Sequence, residues 1–211
     1  MKKYISTLSV LLIAITVYWS FSDLIPSKTS KETTSPTEFS IDNAFKHLKN
    51  ISQKAHYVGT DAHKVVQNYI VDELKKLGLE PEIQQQVAVN AKWLAATTTE
   101  NILARIKGSG SGKSLLLLTH YDSAPHSSIG ASDAGSGVVT ILEGIRAFLA
   151  ANKSPENDII ILITDAEELG LLGAKAFVNE HPWAKDVGLV LNFEARGSGG
   201  PSYMLMETNG K

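Results

Sequence analysis

Histidine and acidic side chains stand at the ends of three apolar runs in this sequence. His120 and Asp122 follow the first run, Glu167 and Glu168 follow the second, and Glu194 comes at the end of the third. The chain contains no cysteine, so a metal ion bound by these residues would have only imidazole and carboxylate ligands. Such ligands suit zinc, manganese and other borderline or hard ions. Three apolar runs that each deliver such a side chain at the same end indicate a metal site.

The acidic residues are numerous enough for a hydrolase site that holds two metal ions. Such a site needs a carboxylate that bridges the ions, terminal ligands for each ion, and a base for the attacking water. Asp133, in the loop after the first apolar run, could be the bridge. His120 and Glu194 could complete one ion, and Glu168 could complete the other.

Two further acidic residues could support the reaction without binding a metal. Neighbouring glutamates point in different directions, so Glu167 could take a proton from the attacking water while Glu168 serves as a ligand. Asp122 lies two residues after His120 and could accept a hydrogen bond from the second ring nitrogen of that histidine. This contact would fix the orientation of the imidazole.

Each of these residues also has an ordinary structural interpretation. Asp133 could be the N-cap of a helix, and Glu167 and Glu168 could favour a helix N-terminus through their negative charge. His120 could be a hydrogen-bonded structural residue. Glu194 is harder to explain in this way, because a carboxylate within an apolar strand needs a partner or an ion. Each structural interpretation is acceptable for its own residue. Together they are less convincing, because all these residues fall at one edge of the expected sheet.

The hydrophobic periodicity of the chain predicts alternating helices and strands. The predicted helices cover residues 41–52, 60–77, 138–151 and 169–180, and the predicted strands cover 81–89, 101–107, 114–119, 159–164 and 189–193. The segment GSGSG at 108–112 indicates a hairpin turn between the second and third strands. The last three strands are almost continuously aliphatic, which is typical of strands buried on both faces. We therefore expect a three-layer α/β/α sandwich with a mixed, mainly parallel central sheet, in which ligands bind beyond the carboxyl ends of the strands.

The first 40 residues differ from the rest of the chain. In residues 1–22 two lysines precede an apolar stretch, which predicts a transmembrane signal anchor, with a cleaved signal peptide as the alternative. Residues 23–40 are rich in Ser, Thr, Lys and Pro and are expected to form a flexible linker. Residues 41–211 would then form one domain on the extracytoplasmic side, in the periplasm, the extracellular space or a lumen. The formal net charge of −2 gives no electrostatic footprint for nucleic acid.

Four segments of the sequence, THYDS, GASDAGSG, TDAEELGLLGA and NFEARG, resemble the motifs of the M28 family of co-catalytic zinc aminopeptidases. The resemblance extends from Tyr57 to the end of the chain and is strongest to the membrane-anchored branch, which includes vacuolar membrane proteases and endoplasmic reticulum metallopeptidases. It also implies a cis peptide bond between Asp133 and Ala134. The resemblance implies two zinc ions and the following roles: His120 and Glu194 on one zinc, Glu168 on the other, Asp133 between them, Glu167 as the general base and Asp122 as the partner of His120.

One ligand of the family has no counterpart in this sequence. The family has a further histidine, late in its domain, on the zinc that Glu168 would hold, and this chain stops at Lys211 before any such motif. His181, after the last helix, is a poor substitute. His126, in the loop after the first apolar run, could contact the metal or the substrate. The remaining histidines are expected to be structural or solvated: His47, His56 and His63. We therefore expect a truncated domain that binds one zinc well and the second weakly.

The sequence thus predicts a zinc-dependent exopeptidase of the aminopeptidase type that is anchored to a membrane and acts on peptides. A glutaminyl-cyclase-like enzyme with a single zinc is an alternative within the same fold, although Glu194 and the DAEELG segment argue against it. A second alternative is a non-catalytic ectodomain of this fold, or an inactive fragment. The substrate preference and the oligomeric state are left open.

Overall fold

A computed structural model describes residues 2–23, 34–126, 128–195 and 197 of the chain. It divides the chain into two units, one formed by Met1–Thr29 with Gly199–Lys211 and the other by Ser30–Ser198. The end of the predicted domain at residues 198–211 and much of the predicted linker lie outside the described residues.

Helix α1, Lys2–Asp23, is the part of the first unit that the structure describes. Its segment Tyr4–Ser22 has a mean hydropathy of 1.7, and none of that segment is buried. The hydroxyl groups of Ser9, Thr16 and Ser20 donate hydrogen bonds to the carbonyl oxygens four residues earlier, so these donors are satisfied within the helix. The segment has 19 residues, a rise of about 29 Å, so by length and composition it could cross a membrane.

The second unit is built on a five-stranded mixed sheet with the strand order β1-β2-β4-β3-β5. The strands are β1 Glu82–Asn90, β2 Ala95–Ile106, β3 Ser114–His120, β4 Ile159–Thr164 and β5 Val187–Asn192. Strand β2 pairs antiparallel with β1 and β4, whereas β3 pairs parallel with β4 and β5. The prediction of a mixed sheet is therefore confirmed, and its parallel part comprises the three strands that precede the candidate site residues.

The described part of this unit also contains four α-helices, α2 Ile41–Ile51, α3 Asp61–Lys76, α4 Gly135–Ala150 and α5 Leu172–Glu180, and a 3₁₀ helix at Pro182–Asp186. Side-chain caps begin the first two helices, because Ser40 accepts a hydrogen bond from the amide of Asn43 and Thr60 accepts one from the amide of His63. Helix α5 begins three residues later than predicted, since the chain between β4 and α5 forms turns instead.

Side chains of β4 alternate between two apolar layers. Ile159, Ile161 and Ile163 pack in a core cluster with residues of α2, α3 and α4. Ile160 and Leu162 point to the other face of the sheet, where they pack with Phe177 of α5. All six residues of β4 are buried. This alternation confirms the three-layer α/β/α arrangement, with β4 at its centre.

The predicted hairpin between β2 and β3 is wrong. Strand β4 lies between these two strands and pairs with both of them. The glycine-rich turn instead contacts the chain that leads into β4, and Gly110 donates a backbone hydrogen bond of 2.7 Å to the carbonyl oxygen of Glu156. A turn motif indicates only that the chain reverses direction, so it does not reveal a strand that is inserted later between the two flanking strands.

The prediction that the last strand is buried is also wrong. Strand β5 pairs with β3 and is the outermost strand on this side of the sheet among the described residues. Leu189, Val190 and Leu191 are 60%, 46% and 42% exposed, respectively. Within the described residues, no strand pairs with the outer edge of β5. The aliphatic composition of β5 therefore does not mean that its side chains are buried within the described residues.

A buried acidic residue on α4 holds the chain that leads into α2. Glu143 is fully buried, accepts a hydrogen bond of 2.8 Å from the amide of Ser40, and forms a salt bridge of 2.7 Å with Arg146. The Arg146 guanidinium also donates to the carbonyl oxygens of Pro36 and Glu38. The last residues of the predicted linker therefore lie against the sheet-bearing unit.

Asp158 stabilises the start of β4 and yields a testable prediction about stability. Its carboxylate accepts hydrogen bonds from the Gly108 amide at 2.7 Å, from Lys107 at 3.0 Å and from Arg105 at 2.7 Å. The Gly108 amide and the Lys107 ammonium lower the pKa of Asp158 to about 2. Because this pKa is lower in the folded state than in the unfolded chain, the stabilisation is present at neutral pH and is lost as the pH falls from about 4 to 2.

We expect Asp158→Asn to lower the free energy of unfolding by about 1–2 kcal/mol at pH 7, since charge-assisted hydrogen bonds are lost. Denaturant unfolding from pH 7 down to pH 2 should show that the difference from the wild type shrinks below about pH 4. Asp186→Asn is the control, because Asp186 contacts the same Arg105 but its side chain is 47% exposed. Wild-type stability of the Asp158 variant at pH 7 would contradict this assignment.

Candidate metal centre

The ends of three parallel strands meet at one edge of the sheet. His120 is the last residue of β3 and pairs with Thr164, the last residue of β4. Strand β5 ends at Asn192, which pairs with Leu118 of β3, and Glu194 follows two residues later. The side chains that the sequence places after these strands are therefore brought together by parallel pairing, as expected for a ligand site in a sheet of this type.

His120 lies at the centre of this group. Its side chain is 1% exposed, and its Nε2 atom is 3.0 Å from Asp133 Oδ1, 3.6 Å from Glu194 Oε1 and 3.9 Å from Glu167 Oε2. One possible ligand atom from each of His120, Asp133 and Glu194 lies within 4.8 Å of the other two. These three residues belong to the predicted ligand set, and their nitrogen and oxygen donors fit a zinc ion.

Asp133 does not act as a helix cap. Helix α4 begins at Gly135, its N-cap residue is Ala134, and the cap forms no side-chain hydrogen bond. The peptide bond between Asp133 and Ala134 is cis, as the sequence resemblance implied. The ordinary structural interpretation of Asp133 is therefore wrong, and its carboxylate is available to the group around His120.

The first turn of α4 lies directly against the strand ends. A Cβ atom added to Gly137 would fall 2.5 Å from the carbonyl oxygen of Phe193 and would also meet the Thr119 side chain. Thr119 itself donates a hydrogen bond to the same carbonyl oxygen at 2.9 Å. This close approach requires a glycine and fixes the start of α4 relative to β3 and to the chain that carries Glu194.

Asp122 connects the ends of β3 and β4. Its Oδ1 atom is 3.3 Å from His120 Nδ1, which agrees with the predicted partnership, and the same ring nitrogen is 3.0 Å from the Asp122 carbonyl oxygen. The carboxylate also accepts hydrogen bonds from the amides of Glu167 and Glu168 at 3.0 and 3.1 Å. Sequence reasoning missed these last two contacts, because no local pattern joins Asp122 to residues 45 and 46 positions away.

The site has a large excess of negative charge. The carboxylates of Asp122, Asp133, Glu167, Glu168 and Glu194 surround a single imidazole. Burial raises the pKa of Glu167 to about 7, and burial together with nearby carboxylates also raises the pKa values of Asp133 and Glu168. Burial and mutual repulsion both disfavour the ionised carboxylates, and the positive charge of a divalent cation would offset both effects.

The pKa of His120 reflects the same charge balance. Burial alone would lower this pKa, but hydrogen bonds to Asp122 and Glu194 outweigh the effect of burial and raise it to about 11. A protonated imidazole therefore balances part of the carboxylate charge when no metal is bound. Zinc binding requires a neutral imidazole and would replace that proton as the positive charge.

The other candidate residues fall outside the group of three converging ligand atoms. Glu168 belongs to the same cluster of carboxylates but is not one of the three residues that converge. His126 is exposed in its loop. His181 contacts Glu82 at 2.8 Å and stacks on Phe177. The structure thus assembles most of the predicted site and separates His126 and His181 from its converging ligand atoms.

The three histidines that precede the sheet have structural partners. The His47 ring is 2.8 Å from the Tyr69 hydroxyl. The buried His56 donates its amide to the Ser123 hydroxyl at 2.9 Å, and its carbonyl oxygen accepts from the Ser123 amide at 3.3 Å. His63 is buried, and its Nε2 atom lies 2.8 Å from Asp165 Oδ1. The expectation that these histidines are structural or solvated is therefore refined to a structural role.

The contacts of Asp122 predict that it controls metal affinity. Asp122→Asn removes the negative charge beside His120, and a carboxamide has only one acceptor oxygen for the two glutamate amides. We expect the dissociation constant for zinc to rise about 10–100-fold, measured by competition with a chromophoric chelator. Asp72→Asn, a change of the same type at an exposed position of α3, should leave the affinity unchanged. Equal zinc affinities for wild type and Asp122→Asn would refute this role.

Solved structures share this fold. The Zn-dependent exopeptidase from Parabacteroides distasonis is 27% identical to this chain, with a TM-score of 0.60, and the match covers 70% of this chain and 58% of that chain. A glutaminyl cyclase from Porphyromonas gingivalis is also 27% identical, with a TM-score of 0.59, and here the match covers 68% of this chain and 54% of that chain. These similarities agree with the predicted zinc exopeptidase-like fold.

Sequence comparison identifies the family. The vacuolar membrane protease of Candida albicans strain WO-1 is 34% identical over 211 residues, which is 99% of this chain and 25% of that protein. The chain thus spans about a quarter of the length of this curated relative. The profile of peptidase family M28 matches residues 101–211, which include every candidate site residue described above. The chain therefore belongs to peptidase family M28.

Proposed function

We propose that this chain carries the zinc-binding and proton-transfer groups of an exopeptidase of the aminopeptidase type, which removes residues from the N-termini of peptides. The observation that carries the proposal is the convergence of His120, Asp133 and Glu194, with the Glu167 carboxylate beside them at 3.9 Å from the imidazole. This arrangement combines metal ligands with an adjacent group that can exchange a proton.

Two zinc ions are part of this proposal. His120 and Glu194 would hold one zinc, Glu168 would hold the other, and Asp133 would contact both. Zinc at this site supplies Lewis acidity, which lowers the pKa of bound water and polarises the scissile carbonyl group. Asp122 would keep the His120 ring in the orientation needed for Nε2 to face the metal, because Nδ1 is the ring nitrogen beside Asp122.

Glu167 is the proposed general base. It lies next to the converging ligand atoms but is not one of them, and its side chain is 28% exposed, so water can reach it. Its carboxylate would accept a proton from the attacking water and then donate that proton to the leaving amine. Burial raises the pKa of Glu167 towards neutrality, which suits a group that must both accept and release a proton.

A glutaminyl cyclase activity is the second candidate, because the similarity to a solved glutaminyl cyclase is as high as the similarity to the solved exopeptidase. Glu167 and Glu168 together with Glu194 favour the peptidase. A substrate panel separates the two: release of an N-terminal residue from aminoacyl-p-nitroanilides supports the peptidase, and cyclisation of an N-terminal glutamine supports the cyclase. Zinc binding without turnover of either substrate would favour the non-catalytic alternative.

We further propose that α1 anchors the protein to a membrane, with the sheet-bearing unit on the extracytoplasmic side. Helix α1 is long and apolar enough to span a bilayer, and Lys2 and Lys3 precede its apolar segment. Positive residues favour the cytoplasmic end of such a helix. The similarity to vacuolar membrane proteases supports a membrane location.

Replacement of the base should separate catalysis from metal binding. We expect Glu167→Gln to lower kcat by about 10²–10⁴-fold, because the carboxamide cannot accept the proton, while the zinc content stays at the wild-type value. Turnover of leucyl-p-nitroanilide and zinc analysis of the same samples provide the two measurements. Glu180→Gln, at an exposed position at the end of α5, is the matched control. If Glu167→Gln retains full turnover, Glu167 is not the base.

A further inference from the structure

A buried polar cluster lies directly behind the candidate metal centre. It consists of His63 and Gln67 from α3, Glu100 from β2, Tyr121 from the chain after β3 and Asp165 from the chain after β4, and we call it the His63 cluster. All of its members except Glu100 are at most 6% exposed. The cluster thus joins one helix and one strand that carry no site residue to the two chain segments that carry most of the site.

Asp165 is held through all of its polar groups. Its carboxylate accepts hydrogen bonds from His63 Nε2 at 2.8 Å and from the Glu100 amide at 2.9 Å. Its own amide donates to the Asn101 side chain, and its carbonyl oxygen accepts from the Gly173 amide, both at 2.9 Å. Asp165 is therefore fixed from α3, β2 and α5 at the same time.

The turn after Asp165 carries the two glutamates of the site. Ala166 is fully buried and has a φ of +54°, a left-handed conformation that costs an alanine about 1–2 kcal/mol. Glu167 and Glu168 follow at once, and their amides bond to Asp122. Such a conformation persists only where the surroundings determine it, and here Asp165 and Asp122 constrain the turn from its two sides.

Tyr121 links the same cluster to the other half of the site. It stands between His120 and Asp122, and its ring stacks on the His63 imidazole with a centroid distance of 4.6 Å and an interplanar angle of 23°. Its hydroxyl donates to the Glu100 carbonyl oxygen and accepts from the Gln67 side chain, both at 3.0 Å. His63 therefore contacts Tyr121 with its face and Asp165 with its edge.

We propose that His63 is a positioning residue that sets the Glu167–Glu168 turn relative to His120. The imidazole is suited to this role because one rigid ring provides both a donor for Asp165 and a flat surface for Tyr121. This inference rests on the metal centre proposed above. It assigns a role in that centre to a residue on α3 that has no contact with the converging ligand atoms.

The test uses two variants of His63 in the full chain and Co²⁺ as the probe. His63→Phe keeps a flat ring against Tyr121 but removes the donor to Asp165, whereas His63→Gln keeps a donor and loses the stacked ring. We expect His63→Phe to weaken Co²⁺ binding about 10-fold, to change the visible d–d spectrum of the bound ion, and to lower kcat about 10–100-fold with KM within about 3-fold. We expect His63→Gln to change Co²⁺ binding, the visible spectrum and kcat in the same direction as His63→Phe but by less.

His47→Phe is the matched control, because His47 is a partly buried histidine that contacts Tyr69 rather than the site. It should lower the melting temperature without a change in the Co²⁺ spectrum or in kcat. If His63→Phe fails to fold, Asp165→Asn replaces it, because the carboxamide keeps the shape of Asp165 but turns one of its acceptors into a donor. The same change in the Co²⁺ spectrum is expected for that variant.

Two results would overturn the inference: a wild-type Co²⁺ affinity, spectrum and kcat in His63→Phe, or an equal change in the His47→Phe control. Wild-type protein that binds Co²⁺ but turns over no peptide would count against the proposed peptidase activity alone, since the spectrum still reports on ligand position. Wild-type protein that binds no Co²⁺ would overturn both proposals.

Discussion

The parallel pairing of β3 with β4 and β5 is the constraint on which the site depends. Parallel strands end at the same edge, so the site residues at the ends of these strands meet there although the first, His120, and the last, Glu194, are more than 70 positions apart in the sequence. Helix α4 connects β3 to β4, and its first turn packs so closely on the strand ends that only a glycine fits at position 137. The loop that carries Asp133 is thereby held above the end of β3.

The carboxylates of the candidate metal centre lie close together, and the chain compensates their negative charge only in part. The Asp122 carboxylate accepts hydrogen bonds from the backbone amides of Glu167 and Glu168. These hydrogen bonds partly compensate the negative charge of that carboxylate. The carboxylates of Asp133 and Glu194 converge on His120. Burial raises the pKa of Glu167 to about 7. A bound dication would relieve this repulsion, which would connect the stability of the site to the chemistry proposed for it.

Much of the site was predictable because its residues lie in short, ordered motifs next to apolar strands. The three-layer arrangement and the cis peptide after Asp133 were also anticipated. The hairpin between β2 and β3 was predicted wrongly, because the strand that separates them comes later in the chain and leaves no local sign. The exposure of β5 was missed for a related reason, since an aliphatic run does not reveal whether a strand lies at the edge of a sheet.

The His63 cluster could not be predicted from the sequence. In the sequence His63 is a single histidine on an amphipathic helix, and Asp165 lies two residues before Glu167. Neither position indicates a buried contact that supports the site. Their pairing depends on a contact across 102 residues. Only the packing of α3 against the ends of the strands reveals that the two residues support the site from behind.

The central claim is that His120, Asp133 and Glu194 hold zinc, and anomalous X-ray diffraction tests it most directly. Crystals of the zinc-loaded protein, measured on both sides of the zinc absorption edge, should show an anomalous peak about 2.0–2.2 Å from His120 Nε2 and from one carboxylate oxygen of each acidic ligand. A second peak beside Glu168 and Asp133 would support a site with two ions. Zinc-loaded crystals that show no peak between these residues, or that show zinc only at another place such as the His181–Glu82 pair, would contradict zinc binding by these three residues.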